Sequence, residues 1–320
     1  MPRTQTNLSI VSEAAVTAAG DAYGDVENVL GSGEFTVTEW VPNDHYTLAR
    51  NEKYWGEMPI ATSITCRVIP EGSARTIALE AGEIDVVWSV DPTDCANVES
   101  NPDVKLLSQP STGIDYVGMN TQKEKFSDKR VRQAINYALD KQAFVDTIIE
   151  GRGLVANSYI NAAIPGWTDE VEAYPYGPEK AKELLAEAGY PDGFECSIFV
   201  NGDLRTRSAQ ILQAQLADVG IKVDISTYEW GALLDTLNAG EHEMFLLGWS
   251  NTSFDPDGST YQLFYSGNHG ATGNRAFFSN DKVDELILSA QRESEESKRM
   301  ELYKELQFVL HEESPWCPLY

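Results

Sequence analysis

The sequence predicts an α/β protein built on parallel strands, and two observations support this fold class. Between residues 195 and 249, strand-like and helix-like segments alternate in the order β-α-β-α-β, with Gly220 and Gly240 at the ends of the two helices. Such alternation indicates parallel strands with right-handed crossovers and helices on the sheet faces. With 320 residues, 42% of them hydrophobic, the chain can also bury a large core, so we expect two lobes.

The first third of the chain is predicted to be mostly strands. The segments FTVTEW (35–40) and ITCRVI (64–69) alternate in character with period two, which is typical of half-buried strands. The apolar residues of segment 73–81 recur at helical spacing, and Gly82 follows as a left-handed stop. The apolar run IDVVW (84–88) then predicts a further strand.

Helical periodicity returns after these strands. Ser127 or Asp128 is the predicted cap of one helix, and Asp140 can cap the next one. Pro178 stands at the first position of another helix, which closes at Gly189. Two more helices are predicted near the end of the chain, over 283–290 and 295–313.

The charge of the chain bears on its partners. Fifty Asp and Glu residues against 24 Lys and Arg residues give a net charge of −26 at pH 7. This charge repels the phosphate backbone of nucleic acids and anionic membrane surfaces, so we expect no nucleic-acid partner. Acidity of this kind is typical of a solvated surface, and a preference for cationic ligands is the alternative.

The residues that carry metal or catalytic chemistry are scattered. The four histidines form no HExxH motif, and the sequence has neither a GxSxG serine motif nor a GxxxxGK[ST] phosphate loop. Gly151, Gly153 and Ala156 match the spacing GxGxxA, but they follow a helical segment, so we interpret them as a loop rather than a dinucleotide site. The sequence therefore favours a protein that is not an enzyme and that uses no metal or cofactor.

The cysteines are the remaining reactive group. Cys66, Cys95, Cys196 and Cys317 lie far apart and lack CxxC spacing, so we interpret them as packed thiols, with one disulfide among them as the open alternative. The chain also lacks an apolar run of about 18 residues, the length that would cross a membrane. Its first 20 residues lack the long apolar core of a secretory signal, so we expect any export signal to lie outside this chain.

The order of local patterns resembles the solute-binding protein family 5, which includes dipeptide, oligopeptide, glutathione and nickel receptors. Six segments in the family's order carry the resemblance, and together they span nearly the whole chain. They are GSGEFTVTEW (31–40), LARNEKYWG (48–56), RVIPEGSARTIALEAGEIDVV (67–87), FSDKRVRQAINYALDK (126–141), YPYGPEKAKELLAEAGYPDGF (174–194) and MFLLGWSNTSFDPDGSTYQLF (244–264).

The resemblance implies a type II periplasmic-binding-protein fold, in which two α/β lobes are joined by crossing strands. The crossings are expected at 112–121 and 244–250. The second lobe is then 122–243, and the first lobe combines 1–111 with 251–320. Relative to the family, the chain is expected to be truncated at both ends, so that the first lobe lacks its amino-terminal strands.

The function that the resemblance implies is that of an extracytoplasmic receptor for an ABC importer. It captures short peptides or peptide-like solutes by hinge closure and delivers them to permease subunits. We expect a monomer, periplasmic or anchored at the outer face of a membrane, with the signal or anchor outside this chain. The alternatives are a binder of glutathione, a nickel chelate or another non-peptide solute, or a truncated product with no transport role.

The carboxyl ends of parallel strands are where ligands bind in such sheets, and this places the ligand near Trp249 and the loop 250–258, which contains Asp255. Trp249 offers a flat wall to a ligand, and packing at the lobe interface is its alternative role. Peptide receptors of the family carry an aspartate after the GW pair to hold the ligand's α-ammonium, whereas this chain has Thr252. A hydroxyl cannot supply that charge-assisted bond, which argues against binding of a free amino terminus.

The carboxylate end of a peptide requires a cation, and a guanidinium can grip it with two parallel bonds. Arg207 is the best candidate by position and Arg205 the second, with surface charge at a helix start as the alternative for both. Tyr116 and Asn120, on the first crossing strand, are further candidates for which structural roles are the favoured alternative.

Overall fold

The computed structural model describes residues 11–26 and 28–320. The chain divides after Leu107 into two units, which we call the amino-terminal unit and the main unit (Ser108–Tyr320). The predicted assignment of the chain to two lobes and two crossings stays a prediction.

The amino-terminal unit contains an antiparallel three-stranded sheet in the order β1-β2-β3. The strands pair in sequence, and a bulge between Val37 and Glu39 interrupts the register of the first pair. The elements of this unit are α1 (Glu13–Ala19), β1 (Phe35–Val41), β2 (His45–Arg50), β3 (Ser63–Arg67), α2 (Gly72–Glu80) and α3 (Cys95–Ser100).

The predicted strands at 35–40 and 64–69 and the helix at 73–81 are confirmed, and Gly82 has the expected left-handed φ of 72°. The predicted strand IDVVW (84–88) is wrong. That segment forms no strand, and its Trp88 side chain is 90% exposed. An apolar run becomes a strand only where a neighbouring strand accepts its backbone hydrogen bonds, and no described strand pairs with this segment.

Few side chains of the amino-terminal unit are buried. Among its described residues, these are Thr76, Ala78, Cys95 and Val98. Large apolar side chains such as those of Trp55 and Ile60 are 80% and 99% exposed. Because burial of apolar area is the main stabilising contribution to a fold, local unfolding of this unit should require little free energy.

The main unit is organised around a five-stranded mixed sheet with the order β6-β5-β7-β4-β8. Strand β5 runs parallel to both β6 and β7, whereas β4 runs antiparallel to β7 and β8. The strands are β4 (Gly113–Met119), β5 (Phe194–Val200), β6 (Ile221–Thr227), β7 (Met244–Ser250) and β8 (Trp316–Pro318). The predicted β-α-β-α-β order and its parallel pairing are therefore confirmed.

Apolar cores cover both faces of this sheet, because successive strand residues point to opposite sides. On one face, Val117 and Met244 pack with helices of the first half of the unit. On the other face, Tyr116 and Phe245 pack with helices of the second half, and the rings of Tyr116 and Trp316 stack 3.4 Å apart. The helices are α4 (Glu124–Ser127), α5 (Lys129–Ala138), α6 (Lys141–Ile148), α7 (Pro178–Glu187), α8 (Gly202–Ala217), α9 (Trp230–Asn238), α10 (Asp257–Phe264), α11 (Asp281–Arg292) and α12 (Glu296–Glu313).

The helix boundaries follow the capping signals of the sequence. Asp128 rather than Ser127 caps α5, since its side chain accepts a hydrogen bond from the Arg130 amide at 2.8 Å. Asp140 caps α6, Pro178 opens α7, and Gly189 has a φ of 95° after α7. All four cysteines are free thiols, and Cys95, Cys196 and Cys317 are buried as expected for packed thiols, whereas Cys66 is partly exposed. No helix in the described ranges is long and apolar enough to cross a membrane.

A buried polar group closes the edge of the sheet where β4 ends and β7 begins. The Asn120 side-chain amide donates to the carbonyls of Gly240 and His242, both at 3.2 Å. The fully buried His242 ring contacts the Arg275 carbonyl through Nε2 at 2.8 Å. Burial lowers the pKa of His242 to about 4. The ring is therefore neutral at pH 7 and donates through Nε2.

The buried His242 ring predicts a pH-dependent loss of stability. Between pH 6.5 and about 4, the unfolded chain binds a proton at this ring that the folded chain excludes, so the free energy of unfolding should fall as the pH falls. The full effect is on the order of 3 kcal/mol. The free energy of unfolding of the His242→Gln variant, measured by urea unfolding at several pH values, should therefore fall less steeply between pH 6.5 and 4 than that of the wild type. His45→Asn is the control, since Asp44 and Glu39 raise the pKa of His45 and give the opposite sign. An unchanged slope in His242→Gln would contradict the assignment.

The sparse core of the amino-terminal unit predicts where proteases act first. Under limiting thermolysin, the first cuts should fall within residues 11–107, before any cut in the strands and helices of the main unit. Mass spectrometry of the early fragments measures this order. Early cleavage inside β4, β5 or β7 would show that the main unit opens as readily as the amino-terminal one.

Candidate ligand-binding site

One edge of the main sheet collects the carboxyl ends of three parallel strands. Strands β5, β6 and β7 end at Val200, Thr227 and Ser250, and the start of β4 joins the same edge because Gly113 is paired with Ser250. Helix α8 begins at Gly202, directly after β5, so its first turns lie at this edge as well. This is the location where parallel sheets bind their ligands.

A cavity of about 1010 Å³ opens at this edge within the main unit. Its volume is at the upper end of the range for small-molecule sites. Residues from five parts of the chain line it, namely 108–115 (without Thr112), 149–163 (without Glu150, Gly151 and Tyr159), the pair Trp167 and Ala173, Ser250, and Tyr320.

The cavity wall is mostly apolar with a few polar groups, as is usual for small-ligand sites. Ile160 and Trp167 contribute apolar surface, whereas Asp115 and Arg152 are the charged residues of the lining. The loop is tied to the strand, because the Asn161 side-chain amide donates to the Gly113 carbonyl at 2.7 Å. This hydrogen bond therefore fixes the loop that contains Asn161 against the start of β4.

Asp115 contributes the one carboxylate side chain among the described residues that line this cavity. It lies on β4 opposite Gly248 of β7, and a Cβ at position 248 would come within 3.0–3.2 Å of its carboxylate atoms. The Arg205 guanidinium lies beside it, with 3.5 Å between Nη2 and Oδ1. Burial raises the pKa of the Asp115 carboxyl, and Arg205 opposes that shift.

The two arginines named from the sequence both lie on the first turns of α8. Arg205 also donates from Nη1 to the Asn201 side chain at 3.0 Å, while its buried Nε has no hydrogen-bond partner in the described part of the chain. Arg207 pairs with Asp203 at 3.5 Å, and that carboxylate is 86% exposed. Both arginines act electrostatically on Tyr320, whose pKa burial raises to about 12. We call Asp115, Arg205 and Arg207 the charged cluster, which lies near the neutral phenol of Tyr320.

Trp249 and the loop after it are at the same edge. The partly buried Trp249 ring donates from Nε1 to the Gly258 carbonyl at 3.0 Å, so its plane is fixed. Thr252 is exposed in the loop. The Asp255 carboxylate is only 5% exposed and receives two hydrogen bonds from Arg299, at 2.7 and 2.8 Å. Asp255 thus holds the loop against α12.

Tyr116 and Asn120 lie apart from this edge. The Tyr116 ring points to the opposite face of the sheet from Asp115 and is buried against Trp316. Asn120 lies just past the other end of β4, where its amide is bonded to backbone carbonyls. The structure thus brings Trp249, Thr252 and Arg207 to one edge and places Asn120 at the other. The ligand-binding roles of all six residues stay predictions.

The sequence reasoning missed Asp115, Tyr320 and the loop 152–163. A signal for Asp115 exists, because a single carboxylate interrupts the otherwise apolar strand GIDYVGM. The loop includes Gly153 and Ala156 of the GxGxxA match, which follow α6 and line the cavity wall. Across the described ranges, no three His, Cys, Asp or Glu residues are placed to hold a metal ion.

Known proteins of similar sequence and structure are solute receptors. Heme-binding protein A of Haemophilus influenzae is 34% identical over 91% of this chain and 54% of its own length. The dipeptide-binding protein of Escherichia coli K12 is 32% identical over 90% of this chain and 55% of its own length. The chain therefore spans about half the length of these curated relatives.

A solved structure agrees with the fold. The ABC transporter-associated periplasmic binding protein DppA from Helicobacter pylori, determined in complex with the peptide STSA, has a TM-score of 0.90 and 32% sequence identity over 98% of this chain and 62% of that chain. The resemblance seen in the sequence is thereby confirmed, and the fold is the type II periplasmic-binding-protein fold. The family model of bacterial extracellular solute-binding proteins, family 5, matches residues 2–271, and the chain belongs to that family.

Proposed function

We propose that this chain is the ligand-binding part of a substrate receptor for an ABC importer and that it captures short peptides or peptide-like solutes. The observation that carries the proposal is the cavity of about 1010 Å³ at the carboxyl edge of the sheet. Asp115 lines this cavity, and the Arg205 guanidinium lies beside Asp115. The H. pylori protein of the same fold was solved with a peptide. Reversible capture needs shape and fixed charges rather than an activated nucleophile, and we propose no enzymatic activity.

The mechanism we propose is closure around the ligand. In this proposal, 112–121 and 244–250 cross between a lobe formed by 122–243 and a lobe formed by 1–111 and 251–320. The pairing of β4 with β7 along seven residue pairs supports their role as adjacent crossings. A ligand shifts the population toward the closed state only by its extra affinity for that state.

Arg207 is the residue we propose to bind a ligand carboxylate. Its present partner Asp203 is 86% exposed, and surface ion pairs of this kind are worth little. Breaking this one ion pair therefore costs little free energy when Arg207 turns to a ligand. The macrodipole of the 16-residue helix α8 adds to the attraction, because Arg207 stands near its positive amino-terminal end.

A non-peptide solute is the second candidate, and the loop after Trp249 favours it. Thr252 presents a hydroxyl where an α-ammonium would need a carboxylate, and the Asp255 carboxylate is bonded to Arg299. A solute without a free α-ammonium fits this loop. In either case we propose a monomer in an extracytoplasmic location that delivers its ligand to permease subunits.

The first prediction from this proposal is ligand-induced stabilisation. A ligand at about 100 times its dissociation constant should raise the free energy of unfolding by about 2.7 kcal/mol. Thermal unfolding of the full chain against tripeptides, glutathione, hemin and a nickel–histidine chelate measures this. If only a non-peptide stabilises the chain, the second candidate replaces the first. If none of these solutes does, the receptor proposal for this cavity fails.

The second prediction concerns Arg207. Arg207→Ala should weaken a peptide with a free carboxyl terminus by roughly 1.5–3 kcal/mol, the usual contribution of a hydrogen bond to a charged group. The same variant should bind the C-terminally amidated peptide as the wild type does. Lys222→Ala is the matched control, since Lys222 is a 77% exposed cation on β6. Equal affinities of wild type and Arg207→Ala in isothermal titration calorimetry would remove Arg207 from the site.

A further inference from the structure

We propose that Asp115 binds a cationic nitrogen of the ligand and thereby makes the cavity selective for solutes that carry an ammonium or guanidinium group. This inference rests on the proposed function, because it assigns chemistry to the same cavity. Asp115 is a negatively charged binding group in addition to the positively charged Arg207. The expected ligand therefore carries both a positive and a negative charge.

The sheet places the Asp115 carboxylate in the cavity wall. Asp115 stands on β4 where the strand enters the cavity, between Ile114 and the buried Tyr116. Its register partner is Gly248, and even one methyl group there would meet the carboxylate at 3.0–3.2 Å. The absence of a side chain at 248 thus leaves the space that the carboxylate occupies. Its side chain is 33% exposed, so a ligand can reach it.

The carboxylate retains capacity to accept hydrogen bonds. An ionised carboxylate has about four acceptor positions. Within the described ranges, the one ion pair of Asp115 is with Arg205, and its N–O distance of 3.5 Å exceeds the roughly 2.7–2.9 Å of a charge-assisted hydrogen bond. Arg205 makes its shorter contact with Asn201, at 3.0 Å. If the role of Asp115 were only to pair with Arg205, a shorter N–O distance than 3.5 Å would be expected.

The surroundings increase the gain from a ligand cation. The lining of the cavity that contains Asp115 is mostly apolar, and burial raises the pKa of Asp115 because its charge is poorly solvated. A cation that replaces the lost water stabilises this charge more than it would stabilise one in bulk solvent. The net charge of −26 also concentrates cations near the protein.

The experiment compares peptides that differ in one charge. The full chain is titrated by calorimetry with Gly-Leu-Ala and with N-acetyl-Gly-Leu-Ala, which lacks the cationic nitrogen. The wild type should bind the free-amine form at least about tenfold more tightly, the usual gain from a charge-assisted hydrogen bond. In Asp115→Asn this ratio should fall to about one. Asp224→Asn removes the same charge from the exposed side of β6 and should keep the wild-type ratio.

Agmatine, which carries a guanidinium and an ammonium but no carboxylate, separates the two proposals. If Asp115→Asn keeps the wild-type ratio for the peptides, the inference is overturned and peptide capture stands. If neither peptide binds the wild type, the proposal of peptide capture fails, and the agmatine titration then tests the role of Asp115 on its own. Agmatine binding that is lost in Asp115→Asn and kept in Asp224→Asn supports the inference. No agmatine binding, or binding that Asp115→Asn leaves unchanged, overturns it.

A second variant covers the case in which Asp115→Asn does not fold, which thermal unfolding reports. Gly248→Ala keeps every charge and displaces the carboxylate, since the added Cβ lies 3.0 Å from Oδ1. We expect it to lower the preference for the free-amine peptide several-fold. A folded Gly248→Ala protein with the wild-type ratio, or with the wild-type agmatine affinity where peptides do not bind, would also overturn the inference.

Discussion

The antiparallel pairing of β4 with β7 is the constraint on which the main unit depends. Its register runs from Gly113 opposite Ser250 to Met119 opposite Met244, without a bulge. A shift by one residue would exchange the two faces of each strand and move Tyr116 and Phe245 out of their core. The same register sets Asp115 opposite Gly248, so the geometry that fills the cores also prepares the cavity wall.

The two ends of this strand pair differ in the polar groups they carry, which are neutral at one end and charged at the other. At the end of β4, Asn120 and the neutral ring of His242 satisfy backbone carbonyls in a buried polar group. At the start of β4, the charged cluster leaves Arg205 with a buried Nε that has no hydrogen-bond partner among the described residues, and leaves Asp115 with a long ion pair. The buried His242 Nδ1 also lacks a hydrogen-bond partner among the described residues, so the two ends differ in charge: the first is neutral, whereas the second places charged groups at the edge that carries the cavity.

The net charge of the whole chain is negative, whereas the charged cluster holds two arginines and one aspartate. The 50 acidic residues outnumber the 24 basic ones, and the resulting net charge of −26 attracts cations to the protein as a whole. The site adds two arginines at the amino-terminal end of α8, where the macrodipole also favours an anion. In our proposal, a ligand with both charges is held between α8 and β4, in a protein that is strongly acidic as a whole.

The sequence alone predicted most of the helices, although not α1, α3, α4 or α10, and it predicted the parallel β-α-β-α-β order, because these depend on periodicity and on residues a few positions apart. Asp140 caps α6 and Pro178 opens α7 through contacts or backbone preferences that involve only neighbouring residues. The tertiary structure decided which strands form and which side chains meet. IDVVW has the composition of a strand, but no described strand pairs with it. Strand β8 pairs with β4 although about two hundred residues separate them in the sequence. Asp115 and Arg205 are 90 residues apart in the sequence and come into contact because the sheet places β4 near the start of α8. Local pattern encodes local hydrogen bonds, whereas a binding site is made by contacts between distant segments.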